Sequence, residues 1–304
     1  MTGPTAAGKT ALAIRIAKLF SCEILSADSR QFFRELKIGT APPSDSELNE
    51  IKHHFIHSHS IHDVMDVSTY ETIALAKLNE LWKSFKYTVL VGGSGLYVQS
   101  VCKGLDSLPD ADPVVRNELN QIFETKGISE LRLMLKKLDP EYYNDVDIAN
   151  PKRLLRALEV CISTGIPFSS FRKNEAAPRM FNIIKLGLTI DRYRLHQIIN
   201  KRVDSMMESG LLEEATTLFP QRQLNALNTV GYRELFDFFE GKCSKEDAIE
   251  KIKTNTRRFA RRQMTWFNKD KEIKWLNAEN KETCFIETIK YLRLCGCDIP
   301  SNPA

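Results

Sequence analysis

Three features of the sequence could do chemistry on a phosphorylated substrate. The first is Gly3-Pro4-Thr5-Ala6-Ala7-Gly8-Lys9-Thr10, which has the spacing of a phosphate loop. In such a loop the glycines let backbone amides curl round phosphate oxygens at a helix N-terminus. Lys9 supplies charge, and the Thr10 hydroxyl is placed to ligate Mg2+; the pattern itself fits any diphosphate. The second is Asp28, in Ala27-Asp28-Ser29-Arg30-Gln31. It directly follows a short apolar run, at the edge where open α/β sheets place ligands. A carboxylate there can act as a base, hold a metal or simply cap a helix. The third is Arg202, which lies four residues from both Ile198 and Met206 in the stripe of Leu195, Ile199 and Val203. A cation on an apolar helix face needs a partner, either a fixed anion such as a diphosphate or a structural carboxylate.

Basic residues form two further groups. Between Lys251 and Lys271 there are eight Lys or Arg against Asp270 alone, and Lys152, Arg153 and Arg156 crowd an earlier segment. Ile252, Phe259 and Trp266 recur every seven residues and predict a packed face, with Arg257 and Arg261 pointing elsewhere. Two such clusters beside a phosphate loop favour a nucleic-acid track over scattered surface charge. His53, His54, His57, His59 and His62 lack the companions of a metal site and are expected to be surface polarity. Cys22, Cys102, Cys161, Cys243, Cys284, Cys295 and Cys297 are odd in number and scattered, as expected of reduced thiols.

The elements that must position these residues read as α/β. Leu12, Ile16, Leu19 and Phe20 repeat at helical spacing behind the phosphate loop, and residues 23–27 predict a buried strand. Residues 88–91 predict a second strand, which runs through Gly92-Gly93-Ser94-Gly95 into another helix. From Pro109 to Phe171 the pattern turns amphipathic and helical, with a stop at Gly127. Its last helix is punctuated by Asn150 as N-cap, Pro151 at the first position and Gly165 beyond the end. A strand at 183–190 returns the chain to the sheet, Asp191 caps a long helix interrupted at Gly210, and the remainder reads as helical to Leu294. The expected class is therefore α/β: a phosphate-loop parallel-sheet core (residues 1–108 and 179–304) carrying a helical insertion (109–178). With 304 residues, 42% apolar and 27% charged, a folded protein of one or two domains follows. No apolar run reaches the roughly 20 residues of a membrane span and no secretory signal opens the chain, so a cytoplasmic location without membrane is expected.

Together these residues resemble the tRNA dimethylallyltransferase (tRNA isopentenyltransferase, IPP transferase) family in its bacterial form. The resemblance runs through residues 3–10, Asp-Ser-Arg-Gln at 28–31, Ile-Gly-Thr-Ala at 38–41, His53-His54 and Gly-Gly-Ser-Gly-Leu-Tyr at 92–97. It continues through Lys-Arg-Leu-Leu-Arg-Ala-Leu-Glu at 152–159, Arg202-Val203-Asp204, Val230-Gly231-Tyr232-Arg233 and Arg-Arg-Gln-Met-Thr-Trp-Phe at 261–267. It implies transfer of a dimethylallyl group from dimethylallyl diphosphate to the exocyclic amine of adenosine 37 in the tRNA anticodon loop, by a monomer that uses Mg2+. It makes Asp28 the general base, gives the diphosphate to Gly3–Thr10, and has Ser94 and Arg202 hold the leaving group. It also implies tRNA contacts at Asp28, Ser29, Arg30, Gln31, Ser94 and Arg116, and at Lys152, Arg153, Leu154, Leu155 and Arg156. Further contacts are implied at Asn228, Thr229, Val230, Gly231, Tyr232 and Arg233, and at Arg261, Arg262, Gln263, Met264, Thr265, Trp266, Phe267 and Asn268. Gln31 would read the flipped base.

Four departures from the family pattern stand out. Phe33 replaces a frequent Tyr, Pro42 stands where Lys is usual, and Ser94 replaces Thr but keeps the hydroxyl. A phosphate loop is ordinarily preceded by a strand of about five residues, yet only Met1 and Thr2 precede Gly3. The expectation is either an upstream start with an apolar run or a sheet without its central strand. Two rival readings use the same features: a phosphoryl-transferring kinase on the loop, which has no need of the basic helix, and a non-catalytic RNA-binding protein, which leaves the loop and Asp28 without a task.

Overall fold

The computed structural model describes residues 1–106, 108–110, 112–172 and 177–300. The chain divides into two compact units, Met1–Cys102 with Arg179–Ala304, and Lys103–Pro178.

In the first unit β1 (Ile24–Ser26) lies between β2 (His53–His54) and β3 (Val89–Val91), all parallel. Ile24 and Leu25 of β1 are fully buried. A second parallel pair is formed by β4 (Leu186–Thr189) and β5 (Lys274–Asn277). Met1 and Thr2 fill the slot between the two pieces. The Met1 amino group donates to the Leu90 carbonyl at 2.5 Å and the Gly92 N–H donates to the Met1 carbonyl at 3.2 Å. Thr2 N–H donates to the Leu186 carbonyl at 2.8 Å, and Leu188 N–H donates to the Thr2 carbonyl at 3.0 Å. The strand expected before the phosphate loop is thus present as a single rung that satisfies ladder groups on both sides.

Two strands correct the reading of the sequence. His53 and His54 form β2, with the His54 imidazole against Glu23 Oε2 at 2.5 Å, so this stretch is not simply surface polarity. β5 breaks the tail that reads as helical apart from turns near Pro220 and Gly241. β2 is only two residues long, and β5 buries Leu276 alone among four residues, so neither shows the apolar run that marks the other strands.

Helices pack round the strands. α1 (Lys9–Leu19) follows the phosphate loop and buries Leu12, Ala13, Ile14, Ile16 and Ala17. α2 (Asp45–Glu50) opens with a Ser44/Glu47 capping box, and α3 (Val67–Leu81) is capped by Asp66. α4 (Gly95–Lys103) begins at the glycine turn after β3.

The second unit is helical. α5 (Pro113–Leu138) is kinked at Gly127, whose backbone is non-helical (φ 72°, ψ −173°), as the stop in the sequence predicts. α6 (Pro140–Asp145) follows, and then α7 (Pro151–Thr164), which has Asn150, Pro151 and Gly165 in the expected capping roles. Leu119, Leu131, Leu135, Leu154 and Leu158 make its core.

Back in the first unit, α8 (Arg192–Glu208) is capped by Asp191, and α9 (Leu211–Leu218) starts after Gly210. α10 (Tyr232–Phe239), the long α11 (Lys245–Phe267) and α12 (Lys281–Leu294) complete it. The largest core joins Tyr70, Leu36, Val203, Leu211, Tyr232 and Ile252, and so locks α8, α9, α10 and α11 to the sheet side that carries Asp28. Among the described residues no helix is long and apolar enough to cross a membrane.

Candidate active site

The phosphate loop takes its shape from backbone that few residues adopt. Gly8 sits in the left-handed region (φ 83°) at the N-terminus of α1, and Ala6 shares that sign of φ (68°). The Lys9 ammonium donates to the loop's own carbonyls, Gly3 at 3.1 Å and Pro4 at 2.8 Å, which leaves one of its three donors for a ligand. Burial pushes its pKa down to about 8, opposed by nearby Asp28 and assisted by Arg202. Lys9, Asp28 and Arg202, read separately from the sequence, therefore share one electrostatic environment.

A pocket of about 340 Å³ opens beside the loop, within the range of small-molecule sites. Its lining mixes polar groups, among them Thr5, Asp28, Ser29, Ser94 and Arg202, with the apolar side chains of Val203, Met206, Val230, Ile252 and Phe259. Arg233 and Arg262 also line it.

Each polar group is placed by an identifiable contact. Asp28 follows β1 directly, and its Oδ1 accepts from Arg30 N–H at 3.1 Å. Ser94 Oγ accepts from Ser29 N–H at 2.9 Å and donates to Ser29 Oγ at 3.1 Å, which ties the turn after β3 to the turn after β1. Arg202 Nη1 donates to Thr5 Oγ1 at 3.3 Å. Burial lowers the Arg202 pKa, opposed in part by the charge of Glu47, and no carboxylate lies within ion-pair distance among the described residues. The structural carboxylate that would have explained an inward arginine is missing there.

Several residues assigned to tRNA by resemblance have partners inside the protein. The Arg30 guanidinium donates to the carbonyls of Asn225, Ala226 and Asn228, at 2.9, 3.1 and 3.4 Å. It thereby shapes the approach to the Asn228–Arg233 loop. Gln31 Nε2 donates to Thr40 and Ala41 carbonyls at 3.2 and 3.0 Å, so its amide nitrogen is engaged within the protein. Gln263 is buried, and Leu154 is wholly in the core of the helical unit. Arg116 and Arg156 face the buried Glu159 carboxylate at 2.6 and 3.4 Å. Lys152, Arg153, Arg233, Arg261, Arg262, Thr265, Trp266 and Asn268 are exposed.

The seven-residue face on α11 needs correction. Ile252 is buried, but Phe259 and Trp266 are each 37% exposed. The packed face runs instead through Ala248, Ile252, Ala260, Gln263 and Phe267. Phe259 lies only about 20° round the helix from Ile252, and both line the pocket. Arg257 is also less free than expected, donating to Asn200 Oδ1 at 2.6 Å.

Other positioning groups gave no local signal. Glu214 accepts from the N–H groups of Lys37, Ile38 and Gly39 and from the Tyr232 hydroxyl at 2.6 Å, fixing the 37–41 loop against α10. Buried Glu234 accepts from Gly231 N–H and Asn255 Nδ2, both at 2.8 Å, and holds the 228–233 loop to α11.

Residues 31–270 match the family model for IPP transferase. The chain belongs to the IPP transferase family. Its relatives include tRNA dimethylallyltransferases from Christiangramia forsetii, 55% identical over 284 residues (93% of this chain, 94% of the relative), and Flavobacterium johnsoniae, 51% identical over 283 residues (91% and 92%). The fold is similar to the crystal structure of the tRNA isopentenylpyrophosphate transferase from Bacillus halodurans, with a TM-score of 0.71 and 32% identity over 96% of this chain and 94% of that one. The α/β class and phosphate-loop core expected of an IPP transferase agree with that likeness.

The donor set bears on magnesium. Among the described residues no group of three His, Cys, Asp or Glu side chains could hold a metal ion. That fits an ion bound through substrate phosphates, water and one or two protein oxygens, as magnesium is, with Thr10 and Asp28 the side-chain oxygens on offer.

Proposed function

We propose that the protein transfers the dimethylallyl group of dimethylallyl diphosphate to the exocyclic amine of adenosine 37 in a tRNA anticodon loop, releasing diphosphate. The observation that carries this is one pocket with two chemistries. Thr5 of the phosphate loop and Arg202 line it together with Val203, Met206, Ile252 and Phe259. A prenyl diphosphate has those two ends. A kinase would leave the exposed basic residues Arg233, Arg261 and Arg262 without a purpose, which weighs against that reading.

The residues divide the work. Amides of the Gly3–Gly8 loop, Lys9 and Arg202 take up charge as the carbon–oxygen bond breaks and its electron pair leaves with the diphosphate. Ser94 joins them by turning its hydroxyl from Ser29. Thr10 would hold a magnesium ion, which when bound supplies Lewis-acid charge to the phosphate oxygens. The amine nitrogen bonds to the allylic carbon, and its proton goes to Asp28. An aminopurine nitrogen is a weak nucleophile, so orientation counts as much as basicity. The base must leave its stack, at about a few kcal/mol that a flexible loop lowers. The exposed Arg233, Arg261 and Arg262 lie at or near the pocket and supply charge for the RNA backbone. We take the protein to act as a cytoplasmic monomer.

Transfer of label from dimethylallyl diphosphate to unmodified tRNA tests the proposal. Hydrolysis or transfer of a nucleotide phosphate instead would support the kinase, and tRNA binding without transfer the passive RNA binder.

A further inference from the structure

Gln263 lies in the Arg-Arg-Gln-Met-Thr-Trp-Phe stretch between two exposed residues, Arg262 and Thr265 with Met264 half-buried, yet its own side chain is only 5% exposed. Both ends of its amide are used. Oε1 accepts from Thr5 N–H at 2.8 Å, and Nε2 donates to the Gly93 carbonyl at 2.9 Å. Thr5 belongs to the phosphate loop, and Gly93 to the turn that presents Ser94. The turn is built round this amide: a Cβ at Gly93 would come within 2.2 Å of Gln263 Nε2. The same Cβ position is 3.9 Å from Lys9 Nζ, so the bridge passes beside the charged end of the site.

We propose that Gln263 is a positioning residue for the diphosphate cradle and not a contact to tRNA. No other side chain joins the phosphate loop and the Gly93 turn among the hydrogen bonds of the described residues. An amide suits the task because it is the one neutral group of this length that accepts at one atom and donates at its neighbour. A carboxylate would face the Gly93 carbonyl with no proton to offer, and a hydrocarbon would satisfy neither side. The bridge fixes the separation between Thr5, which also holds Arg202, and Ser94. Those are the two edges between which the leaving group must sit, so its loss falls on diphosphate affinity. α11 turns its guanidinium groups outward independently of this amide, so the affinity for tRNA is left to them.

The proposal rests on the prenyl-transfer reading, and its test separates the two. Calorimetric binding of inorganic diphosphate with magnesium needs no turnover, and prenyl transfer by the unaltered protein is the control for the function itself. Gln263→Ala and Gln263→Glu should each weaken diphosphate binding at least tenfold and raise KM for dimethylallyl diphosphate. KM for tRNA and tRNA affinity should stay within about twofold. Gly93→Ala should reproduce the defect by displacing the amide, and should add nothing to Gln263→Ala, where the space is already empty. If Gln263→Ala does not fold, Gly93→Ala decides alone. Normal diphosphate affinity in Gly93→Ala, or a loss confined to tRNA in the Gln263 variants, would overturn the proposal.

Discussion

Arg202 Nη1 donates to Thr5 Oγ1 across 3.3 Å, joining α8 to a phosphate loop 197 residues away in sequence, and has no carboxylate within ion-pair distance among the described residues, so that the charge of Glu47 only partly offsets its burial. Desolvation without a counter-ion is the state in which a cation gains most from an arriving anion.

Replacing Arg202 by Met should therefore separate function from stability. The transfer rate should fall by roughly 100- to 1,000-fold, the usual cost of removing one charge-stabilising donor. The melting temperature should hold or rise, because a half-buried charge gives way to apolar packing against Leu195, Ile199 and Val203. Differential scanning fluorimetry beside single-turnover kinetics reads both. A large drop in melting temperature would show that Arg202 has a structural task.

Lys9 sets a pH dependence whose sign can be worked out. Its pKa without ligand is about 8, against an ordinary 10.5, and a bound diphosphate must raise it. Binding thus takes up a proton above pH 8. Diphosphate affinity should be highest below about pH 8 and fall as pH rises, with a slope of at most about one decade per unit. Lys9→Arg, which stays charged, should flatten that fall. A profile that instead improves from pH 8 to 10 would contradict the assignment.

Asp28→Asn keeps the shape and the hydrogen bond from Arg30 N–H while removing the base. Transfer should slow by about 100- to 10,000-fold, with tRNA affinity within a few-fold by filter binding. Near-normal turnover would remove Asp28 from the chemistry.

Arg116 and Arg156 test a different division. Both face Glu159, which is 1% exposed. Arg156→Ala should destabilise the helical unit by about 1–3 kcal/mol, less than for a fully buried pair because its own head is partly exposed. Lys152→Ala or Arg153→Ala, at exposed positions, should leave stability unchanged and reduce the salt dependence of tRNA binding by about one unit of slope each. Unaltered melting in Arg156→Ala would return that arginine to the RNA track.

What could be read from the sequence was what local spacing encodes. The phosphate loop announces itself in eight residues, and the Asn150, Pro151 and Gly165 capping signals fix α7 to the residue. Asp28 and Arg202 are visible because a carboxylate after a strand and a cation in an apolar stripe are each anomalies. β2 was hidden by its length of two residues and β5 by burying only Leu276. The bridging roles were hidden by distance along the chain: Gln263 meets Thr5 across 258 residues, and Arg30 meets the 225–228 carbonyls across 195 or more. A glutamine directly after two arginines on a basic helix looks like one more RNA contact until its fold partners are seen.

The most direct test of the central claim is to incubate the protein with unmodified tRNA, magnesium and labelled dimethylallyl diphosphate, then digest the tRNA and identify the labelled nucleoside by mass spectrometry. The account predicts one dimethylallyl group on the exocyclic nitrogen of adenosine 37, with one diphosphate released per transfer and release slowed by at least about 100-fold in Asp28→Asn. Label absent from tRNA while the protein binds both substrates, or a nucleotide phosphate transferred in its place, would contradict it.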